Sequence, residues 1–316
     1  MDASDLLRNG LLTLSGSQAV RRTIERAPVS RSVVKRFVSG ETVDDAVRVT
    51  EELARTRRMV TIDYLGEDTL DTAQAEATTT AYIRLLDALS ERGLTSGGKA
   101  EVSVKLTAVG QKVPGDGEVI ALDNARRICE AAAAVGTTVT LDMEDHTTTD
   151  STLGALGELR RDFPSTGAVL QAYLRRTEGD CRDLAHEGSR VRLCKGAYKE
   201  PESVAYQDKH DVDASYVRCL KVLMAGDGYP MVASHDPRMV AIAGSLAAES
   251  GRGPDDVEYQ MLLGIRPAEQ VRLADRGSRL RVYVPFGEQW YGYLMRRMAE
   301  RPANTVFFLR ALATRS

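Results

Sequence analysis

The sequence of 316 residues is poor in cysteine, and its four cysteines form no metal or disulfide motif. Cys129, Cys181, Cys194 and Cys219 are spread along the chain without Cys-x-x-Cys spacing. This spread argues against a zinc cluster and against the disulfide framework of a small secreted domain. We therefore expect reduced thiols, and no metal site, in a cytoplasmic protein.

Long apolar runs and an excess of one charge are also missing. No run reaches the roughly 18 apolar residues that a membrane span needs. The opening residues Met1 to Asn9 carry two aspartates and one arginine with no long apolar run behind them, so no signal peptide is predicted. Lys and Arg number 42 against 45 Asp and Glu, which excludes a nucleic-acid footprint over the whole chain. Any membrane contact is expected to be peripheral, at the inner face.

Residues 1–57 are predicted to form an N-terminal helical arm. Ala46, Val49 and Leu53 recur at helical spacing behind the capping-box-like run Thr42-Val43-Asp44-Asp45. The first 58 residues hold 11 Lys and Arg against 8 Asp and Glu. We interpret this mild excess of positive charge as a solvated helical face.

Residues 58–316 alternate short β-rich runs with amphipathic helical segments. Eight strands, each followed by a helix, are typical of a (β/α)8 barrel, a fold that needs about 250 residues. A doubly wound open sheet would use similar units, but the count of eight and the missing glycine fingerprint favour the barrel. The predicted strands are Met59–Tyr64, Glu101–Thr107, Thr138–Glu144, Ala168–Tyr173, Arg190–Lys195, Met231–His235, Val257–Leu263 and Leu280–Pro285. The predicted helices include Thr69–Arg92, Gly117–Val135, Thr149–Asp162, Val212–Leu223 and Pro237–Glu249.

The predicted strands have one apolar and one polar face. In the run 138–144, apolar side chains alternate with Thr140, Asp142 and Glu144, and the run around Lys105 alternates in the same way. A strand in an open α/β sheet is covered by helices on both faces and is normally apolar on both. The polar face therefore suits a barrel strand whose inward residues meet a ligand at the carboxyl end.

Active sites of (β/α)8 barrels lie where the strands end, so polar residues at those ends are candidates for chemistry. A solvated barrel mouth would also carry charges, and the set is more informative than any single member. The candidates are Asp63, Lys105, Asp142, Glu144, Gln171, Arg192, Lys195, His235, Glu258, Gln260 and Tyr283.

Two stretches are more distinctive. The run Arg192-Leu193-Cys194-Lys195-Gly196-Ala197-Tyr198 combines basic residues with a glycine, so that backbone can approach a phosphate or a flat ring closely. Near the C-terminus, Tyr293 precedes Arg296 and Arg297 by one helical turn, and Glu300 follows them by one turn. Such an arginine pair could bind the carboxylate of a small amino acid bidentately, with Glu300 fixing one guanidinium.

The sequence resembles the proline dehydrogenase family. The matching runs, which appear in the family's order, are Gln171-Ala172-Tyr173-Leu174-Arg175-Arg176, Arg192-Leu193-Cys194-Lys195-Gly196-Ala197-Tyr198, Ala233-Ser234-His235-Asp236, Tyr283-Val284-Pro285-Phe286-Gly287, Tyr293-Leu294-Met295-Arg296-Arg297 and Arg301-Pro302-Ala303-Asn304. With the strand ends at Lys105 and Asp142, the resemblance covers most of the chain. The resemblance is to the monofunctional bacterial type, because the sequence has no room for an aldehyde dehydrogenase module.

The resemblance implies a distorted (β/α)8 barrel with noncovalent FAD and a last helix over the barrel mouth. It implies that Arg296 and Arg297 pair with the carboxylate of L-proline and that Glu300 holds the arginines. The other implied substrate neighbours are Lys105, Asp142, Leu193, Tyr283 and Tyr293. The implied flavin contacts are Gln171, Arg192, Lys195, Gly196, Ala197, Tyr198, Ser234 and His235, with Lys209 as a weaker match. Cys194 stands where the family usually has a β-branched apolar residue, a change of small expected consequence.

The same resemblance implies oxidation of L-proline to Δ1-pyrroline-5-carboxylate, with hydride passing to flavin N5 and electrons passing on to a quinone. Lys105 is left open as a base or as an ion partner. Two alternatives remain: a flavin barrel that acts on another cyclic amine, such as hydroxyproline or pipecolate, and an inactive barrel that senses proline or flavin. The presence of bound flavin and a comparison of substrates would separate them.

Overall fold

Strands and helices alternate through residues 36–299, the part of the chain that the computed structural model describes, with side chains described through residue 295. The strands are β1 Met59–Tyr64, β2 Ala100–Val104, β3 Val139–Leu141, β4 Ala168–Gln171, β5 Arg190–Cys194, β6 Tyr229–Ala233, β7 Glu258–Leu262 and β8 Arg279–Phe286. The helices are α1 Val43–Ala54, α2 Thr72–Glu91, α3 Gly117–Ala134, α4 Thr149–Arg160, α5 Thr177–Leu184, α6 Lys209–Ala225, α7 Pro237–Glu249, α8 Pro267–Asp275 and α9 Trp290–Ala299. Short 3-10 turns span Ser96–Gly98 and His146–Thr148.

The eight strands form one parallel sheet in the order β3-β2-β1-β8-β7-β6-β5-β4. A parallel bridge between Thr140 and Gly167 joins the two ends of that order, where Leu141 N donates to Gly167 O at 2.9 Å. The sheet therefore closes on itself, which confirms the predicted (β/α)8 barrel and excludes the open doubly wound sheet. Among the described residues, no helix combines the length and the apolar composition needed to cross a bilayer.

Two helices were not individually predicted, α5 and α8. Helix α5 has only eight residues and four of its side chains are charged, so it shows no clear apolar stripe. Helix α8 begins with Pro267 behind Arg266, whose φ of 50° places it in the left-handed region. Both helices are short elements whose formation depends on packing against the barrel rather than on a sequence pattern.

The predicted second and third strands are shorter in the structure than in the sequence pattern. Strand β2 ends at Val104, because Ala108 N donates to Lys105 O at 3.1 Å and the chain turns there. Strand β3 ends at Leu141. Lys105 and Asp142 therefore stand directly past the last paired residue of their strands, at the rim of the barrel.

The described part of the predicted N-terminal arm packs on the barrel. Helix α1 begins with the predicted capping box, in which Thr42 Oγ1 accepts from Asp45 N at 3.2 Å. Its buried face, Ala46, Val49 and Leu53, belongs to the same apolar cluster as β1, β2 and β8. Residues 1–35 lie outside the described residues, and the domain boundary at residue 57 stays a prediction.

The outward faces of the strands are apolar and pack against the helices. Ile62, Val102 and Val282 join helices α1, α2 and α3 in one cluster, and Leu170, Val191 and Val232 join α6 and α7 in another. The alternate residues point into the barrel, and most of them are polar, as the sequence pattern predicts.

The amino-terminal half of the barrel interior is filled by paired charges. Arg281 Nε donates to Glu258 Oε1 at 2.8 Å, and Arg190 Nη2 donates to Glu101 Oε2 at 2.6 Å. Arg281 also donates to Val60 O at 2.8 Å. Glu101, Glu258 and Arg281 are almost completely buried. Each charge therefore depends on its partners to offset the cost of losing its hydration.

We expect Glu101→Gln to destabilise the protein strongly. Burial would raise the pKa of Glu101, but Arg190, Arg281 and Arg192 lower it from 4.5 to about 2. Because the folded-state pKa is depressed, this stabilisation is present above about pH 4.5 and is lost as the pH falls through about 2. At neutral pH the variant should lose about 3 kcal/mol in the free energy of unfolding, measured by urea denaturation.

A suitable control is Glu158→Gln, which removes a carboxylate from an exposed pair with Arg161. This exposed pair should contribute less than about 0.5 kcal/mol. Equal losses in the two variants would contradict the assignment of the Glu101 network as a buried stabilising element.

Candidate active site

Four polar side chains meet at the carboxyl ends of β1, β2, β3 and β8. Asp63 belongs to β1, Lys105 follows β2, Asp142 follows β3, and Tyr283 belongs to β8. The strands β3, β2, β1 and β8 are consecutive neighbours in the sheet, so these residues share one sector of the barrel. The structure therefore brings together three residues that the sequence predicted as a site, namely Lys105, Asp142 and Tyr283.

The cluster is joined by short polar contacts. Lys105 Nζ lies 2.7 Å from each carboxylate oxygen of Asp63 and 3.7 Å from Asp142 Oδ2. It also lies 3.4 Å from the hydroxyl of Tyr283, which donates to Asp142 Oδ2 at 2.7 Å. Asp63 is 1% exposed, whereas the side chain of Lys105 is 13% exposed, so the ammonium group lies at the edge of the buried region.

Arg192 reaches this cluster from β5, on the opposite side of the barrel. Its Nη1 lies 2.7 Å from Asp142 Oδ1 and 2.9 Å from Ser103 Oγ, and its Nε donates to Gln260 Oε1 at 2.5 Å. The guanidinium carbon lies 5.5 Å from the centre of the Tyr283 ring, within the range of a cation–π contact. Arg192 thus links β2, β3, β7 and β8 across the barrel interior.

The surroundings of Lys105 favour its charged form. Burial alone would lower the pKa of Lys105, but the carboxylates of Asp63 and Asp142 outweigh it and raise the pKa above the ordinary value. Burial also raises the pKa of the Tyr283 hydroxyl, with Asp142 adding to the effect. The two carboxylates therefore favour the ammonium form of Lys105, which pairs directly with Asp63.

Glu144 is a second buried carboxyl at the rim, two residues past Asp142. Its two oxygens accept from Thr107, with 2.5 Å to the hydroxyl and 3.2 Å to the backbone amide. Thr107 Oγ1 also accepts from Asp68 N at 3.0 Å, so Thr107 and Glu144 join the loops after β1, β2 and β3. Burial raises the pKa of Glu144 to about 7, against the opposing effects of Thr107 and Lys105.

The predicted flavin contacts lie along β4, β5 and β6 and on the loops after them. Gln171 is buried and its Nε2 donates to Glu144 O at 2.6 Å. Lys195 Nζ pairs with Asp213 and lies 3.2 Å from Asp236 Oδ2, and Lys209 Nζ lies 2.6 Å from Asp213 Oδ2. The two predicted lysines therefore share one carboxylate at the start of α6.

The remaining predicted flavin contacts are Gly196, Ala197, Tyr198, Ser234 and His235. Gly196 has a φ of 107°, Ala197 is exposed and Tyr198 is half-buried. Ser234 Oγ accepts from Asp236 N at 3.2 Å. His235 Nε2 accepts from Leu262 N at 2.8 Å, which fixes the ring beside the end of β7.

Leu193 does not lie where the sequence analysis placed it. It follows Arg192 on β5, so its side chain points to the opposite face of the strand. There it is completely buried in an outer apolar cluster with Tyr216 and Leu220 of α6. This geometry contradicts a substrate contact from Leu193. Leu262 is an apolar residue at the inner rim, because it follows Glu258 and Gln260 on the inward face of β7 and pairs in register with Tyr283.

Asp63 belongs to this site as well, although the sequence pattern predicted no specific role for it. Its position at the end of β1 was a signal, but the pairing with Lys105 depends on the closure of the barrel.

The predicted carboxylate clamp falls mostly outside the described residues. Tyr293 is buried on α9, whereas the side chains of Arg296 and Arg297, and the whole of Glu300, lie outside the described part of the chain.

Comparisons with known proteins agree with this architecture. The family model described as "Proline dehydrogenase" matches residues 46–310. The chain is 37% identical over 307 residues to Proline dehydrogenase 1 of Bacillus subtilis, covering 97% of this chain and 99% of that relative. It is 38% identical over 311 residues to Proline dehydrogenase of Deinococcus radiodurans, covering 97% of this chain and 98% of that relative.

A solved structure shares the fold. The crystal structure of proline utilization A (PutA) from Bdellovibrio bacteriovorus inactivated by N-propargylglycine superposes with a TM-score of 0.79 at 27% identity. The match covers 91% of this chain and 34% of that one, so the present chain corresponds to about a third of the longer protein.

The raised pKa of Glu144 predicts a specific dependence of stability on pH. A carboxyl with a folded-state pKa of about 7 and an ordinary value of 4.5 keeps a proton that the unfolded chain releases. Its stabilisation is fully present below about pH 4.5 and is lost as the pH rises through about 7. Glu144→Gln does not titrate, so this variant does not lose stability as the pH rises through about 7. Its amide can still accept from Thr107 N and donate to Thr107 Oγ1.

We expect the free energy of unfolding of Glu144→Gln, relative to the unsubstituted protein, to increase by on the order of 2 kcal/mol between about pH 5 and about pH 8. Urea denaturation at several pH values measures this difference. Glu158→Gln, which alters an exposed carboxylate, should show no such trend. Parallel curves for Glu144→Gln and the unsubstituted protein would show that Glu144 titrates normally.

Proposed function

We propose, since the chain belongs to the proline dehydrogenase family, that it oxidises L-proline to Δ1-pyrroline-5-carboxylate with noncovalent FAD and a quinone as electron acceptor. The family makes the chain an oxidoreductase of proline catabolism. The observation that carries the finer proposal is the cluster of Lys105, Asp142 and Tyr283 at the barrel rim, with Arg192 beneath it. An inactive sensor barrel would not need this complete set of paired polar groups.

The substrate would lie above this cluster. We propose that Arg296 and Arg297 bind the carboxylate of proline and that Glu300 holds the arginines, as the family resemblance implies. Tyr283 and Tyr293 would flank the ring, and Leu262 would supply the apolar contact that the sequence analysis assigned to Leu193. These contacts orient the ring carbon next to nitrogen, on the side away from the carboxylate.

The charges at the site bear on the protonation of the substrate. Proline must lose an ammonium proton before its nitrogen lone pair can assist the departure of hydride. Lys105 and Arg192 are cations, but Asp63 and Asp142 neutralise them by direct pairing. A net positive charge that lowers the pKa of the amine would therefore come mainly from Arg296 and Arg297.

The residues near β4, β5 and β6 fit a flavin nucleotide in their chemistry. A flavin has ring carbonyls that accept hydrogen bonds and a diphosphate that needs cations. Gln171 and Arg192 are buried donors, and Lys195, directly after β5, and Lys209, the first residue of α6, both pair with Asp213. When bound, FAD would supply the hydride acceptor at N5. We propose that Arg192 would then stabilise negative charge on the ring and that Gly196, Ala197, Tyr198, Ser234 and His235 would line the site.

The decisive experiment is an anaerobic titration of the purified protein. We expect a flavin absorption spectrum that bleaches on addition of L-proline, because the substrate reduces the cofactor. Hydroxyproline and pipecolate, tested in parallel, would bleach it more slowly if the clamp and ring contacts are matched to proline. A protein without flavin, or a flavin that L-proline leaves oxidised, would contradict the proposal. Recovery of the spectrum on addition of a quinone, but not of NAD, would support the proposed acceptor.

Replacement of Arg297 tests the carboxylate clamp. We expect Arg297→Met to raise the KM for proline by about a hundredfold or more, because a charge-assisted bidentate contact to the carboxylate is lost. The flavin content should be retained. Arg161→Met, which changes an exposed arginine that directly follows α4 and pairs with Glu158, serves as the matched control. A KM for proline that is equal in both variants would overturn the clamp.

A further inference from the structure

The loop that follows β5 rests on an aromatic ring. Gly196 has a φ of 107°, and a Cβ at this position would overlap the ring of Tyr173. Tyr173 N donates to Lys195 O at 2.9 Å, so the backbone on the amino-terminal side of the glycine is also fixed. The close approach means that glycine is required here, and that the position of the loop is set by Tyr173.

The hydroxyl of Tyr173 makes further contacts, with the loop and with Glu200. It accepts a hydrogen bond from the backbone amide of Tyr198 and donates to Glu200 Oε1 at 3.3 Å. Tyr173 is buried, and burial raises the pKa of its hydroxyl, with Glu200 adding to the effect, so the group remains a donor at neutral pH. Tyr173 therefore holds the loop at Lys195, Gly196 and Tyr198.

Glu200 connects this tyrosine to a third loop. Its side chain is 2% exposed, and its Oε1 accepts from His146 N at 2.9 Å while its Oε2 contacts His146 Nδ1. The carboxylate thus joins the segments after β3, β4 and β5 at one point. A buried carboxylate is costly unless its oxygens are satisfied, so this arrangement specifies one relative position of the three segments.

We propose that Tyr173 and Glu200 are positioning residues that hold the loop of Gly196, Ala197 and Tyr198 in the shape that binds the flavin. This inference rests on the proposed function, because the ligand of the loop is the proposed FAD. Neither residue is placed against the reacting atoms. Their effect should therefore appear in the affinity for FAD and not in the response to proline once FAD is saturating.

Tyr173→Phe tests the hydroxyl while it keeps the ring that Gly196 packs against. The measurement is the Kd for FAD of the deflavinated full-length chain, followed by quenching of flavin fluorescence. We expect a Kd about tenfold higher than in the unsubstituted protein, the effect of losing one or two net hydrogen bonds. The KM for proline at saturating FAD should stay within about twofold.

Tyr216→Phe is the matched control. Tyr216 is completely buried, and its hydroxyl donates to Leu193 O of β5 at 3.1 Å, but on the outer side of the barrel. This variant should lower the Tm by an amount similar to that of Tyr173→Phe, because each loses a buried tyrosine hydroxyl. Its Kd for FAD should remain unchanged.

Two substitutions at Glu200 separate the carboxyl geometry from its charge. Glu200→Ala removes the acceptor of Tyr173 and of His146 N, and we expect its Kd for FAD to rise at least as much as that of Tyr173→Phe. Glu200→Gln keeps an oxygen that accepts from both groups, so its Kd should return to within about threefold of the unsubstituted value. This rescue would show that the hydrogen bonds to the Glu200 oxygen, and not its charge, hold the loop.

The outcomes distinguish this inference from the proposed function. If the unsubstituted chain binds no FAD, the proposed function fails and the inference fails with it. If the unsubstituted chain binds FAD and Tyr173→Phe and Glu200→Ala bind it equally well, the inference alone is overturned. An equal weakening in Tyr216→Phe would also overturn it, because the effect would then reflect general destabilisation.

Discussion

Charges enclosed in a barrel have little access to water, and each must find a partner across the interior. Arg192 finds such partners across the centre of the barrel. From β5 it reaches Asp142 past β3, Ser103 of β2 and Gln260 of β7. A guanidinium with several donors in a fixed plane can satisfy partners on different strands at once, which an ammonium could not do with the same geometry. The strand-end site depends on this cross-barrel contact, because it fixes Asp142.

The pairing of Asp142 determines the state of its neighbours. One oxygen of Asp142 is held by Arg192 and the other accepts from Tyr283, so the carboxylate has a single orientation. Lys105 lies between this carboxylate and Asp63 and remains protonated. The site is thus a set of fixed charges that needs little reorganisation when a polar substrate arrives, the property that electrostatic catalysis requires.

The sequence could predict the barrel because its signal is local. Alternation of polar and apolar residues marks each strand, and eight strand–helix units define the closed sheet. Polar residues at strand ends also identified Lys105, Asp142 and Tyr283 correctly as neighbours. Leu193 shows the limit, because a matching run of residues does not tell which face of the strand a side chain occupies. The pairing of Lys105 with Asp63, and of Lys195 with Asp213, could not be predicted, since such pairings depend on loop paths and on closure of the sheet.

Two buried glutamates show how the barrel divides stability from function along its axis. At the amino-terminal end, three arginines surround Glu101 and hold its pKa at about 2, so the carboxylate is permanently charged and rigidly paired. At the carboxyl end, the close donors to Glu144 within the described part of the chain are the hydroxyl and amide of Thr107, and its pKa is raised to about 7. The first arrangement tolerates no change of partner without loss of stability. The second costs stability at neutral pH, a cost that is common at functional sites, and that end of the barrel is where the candidate site lies.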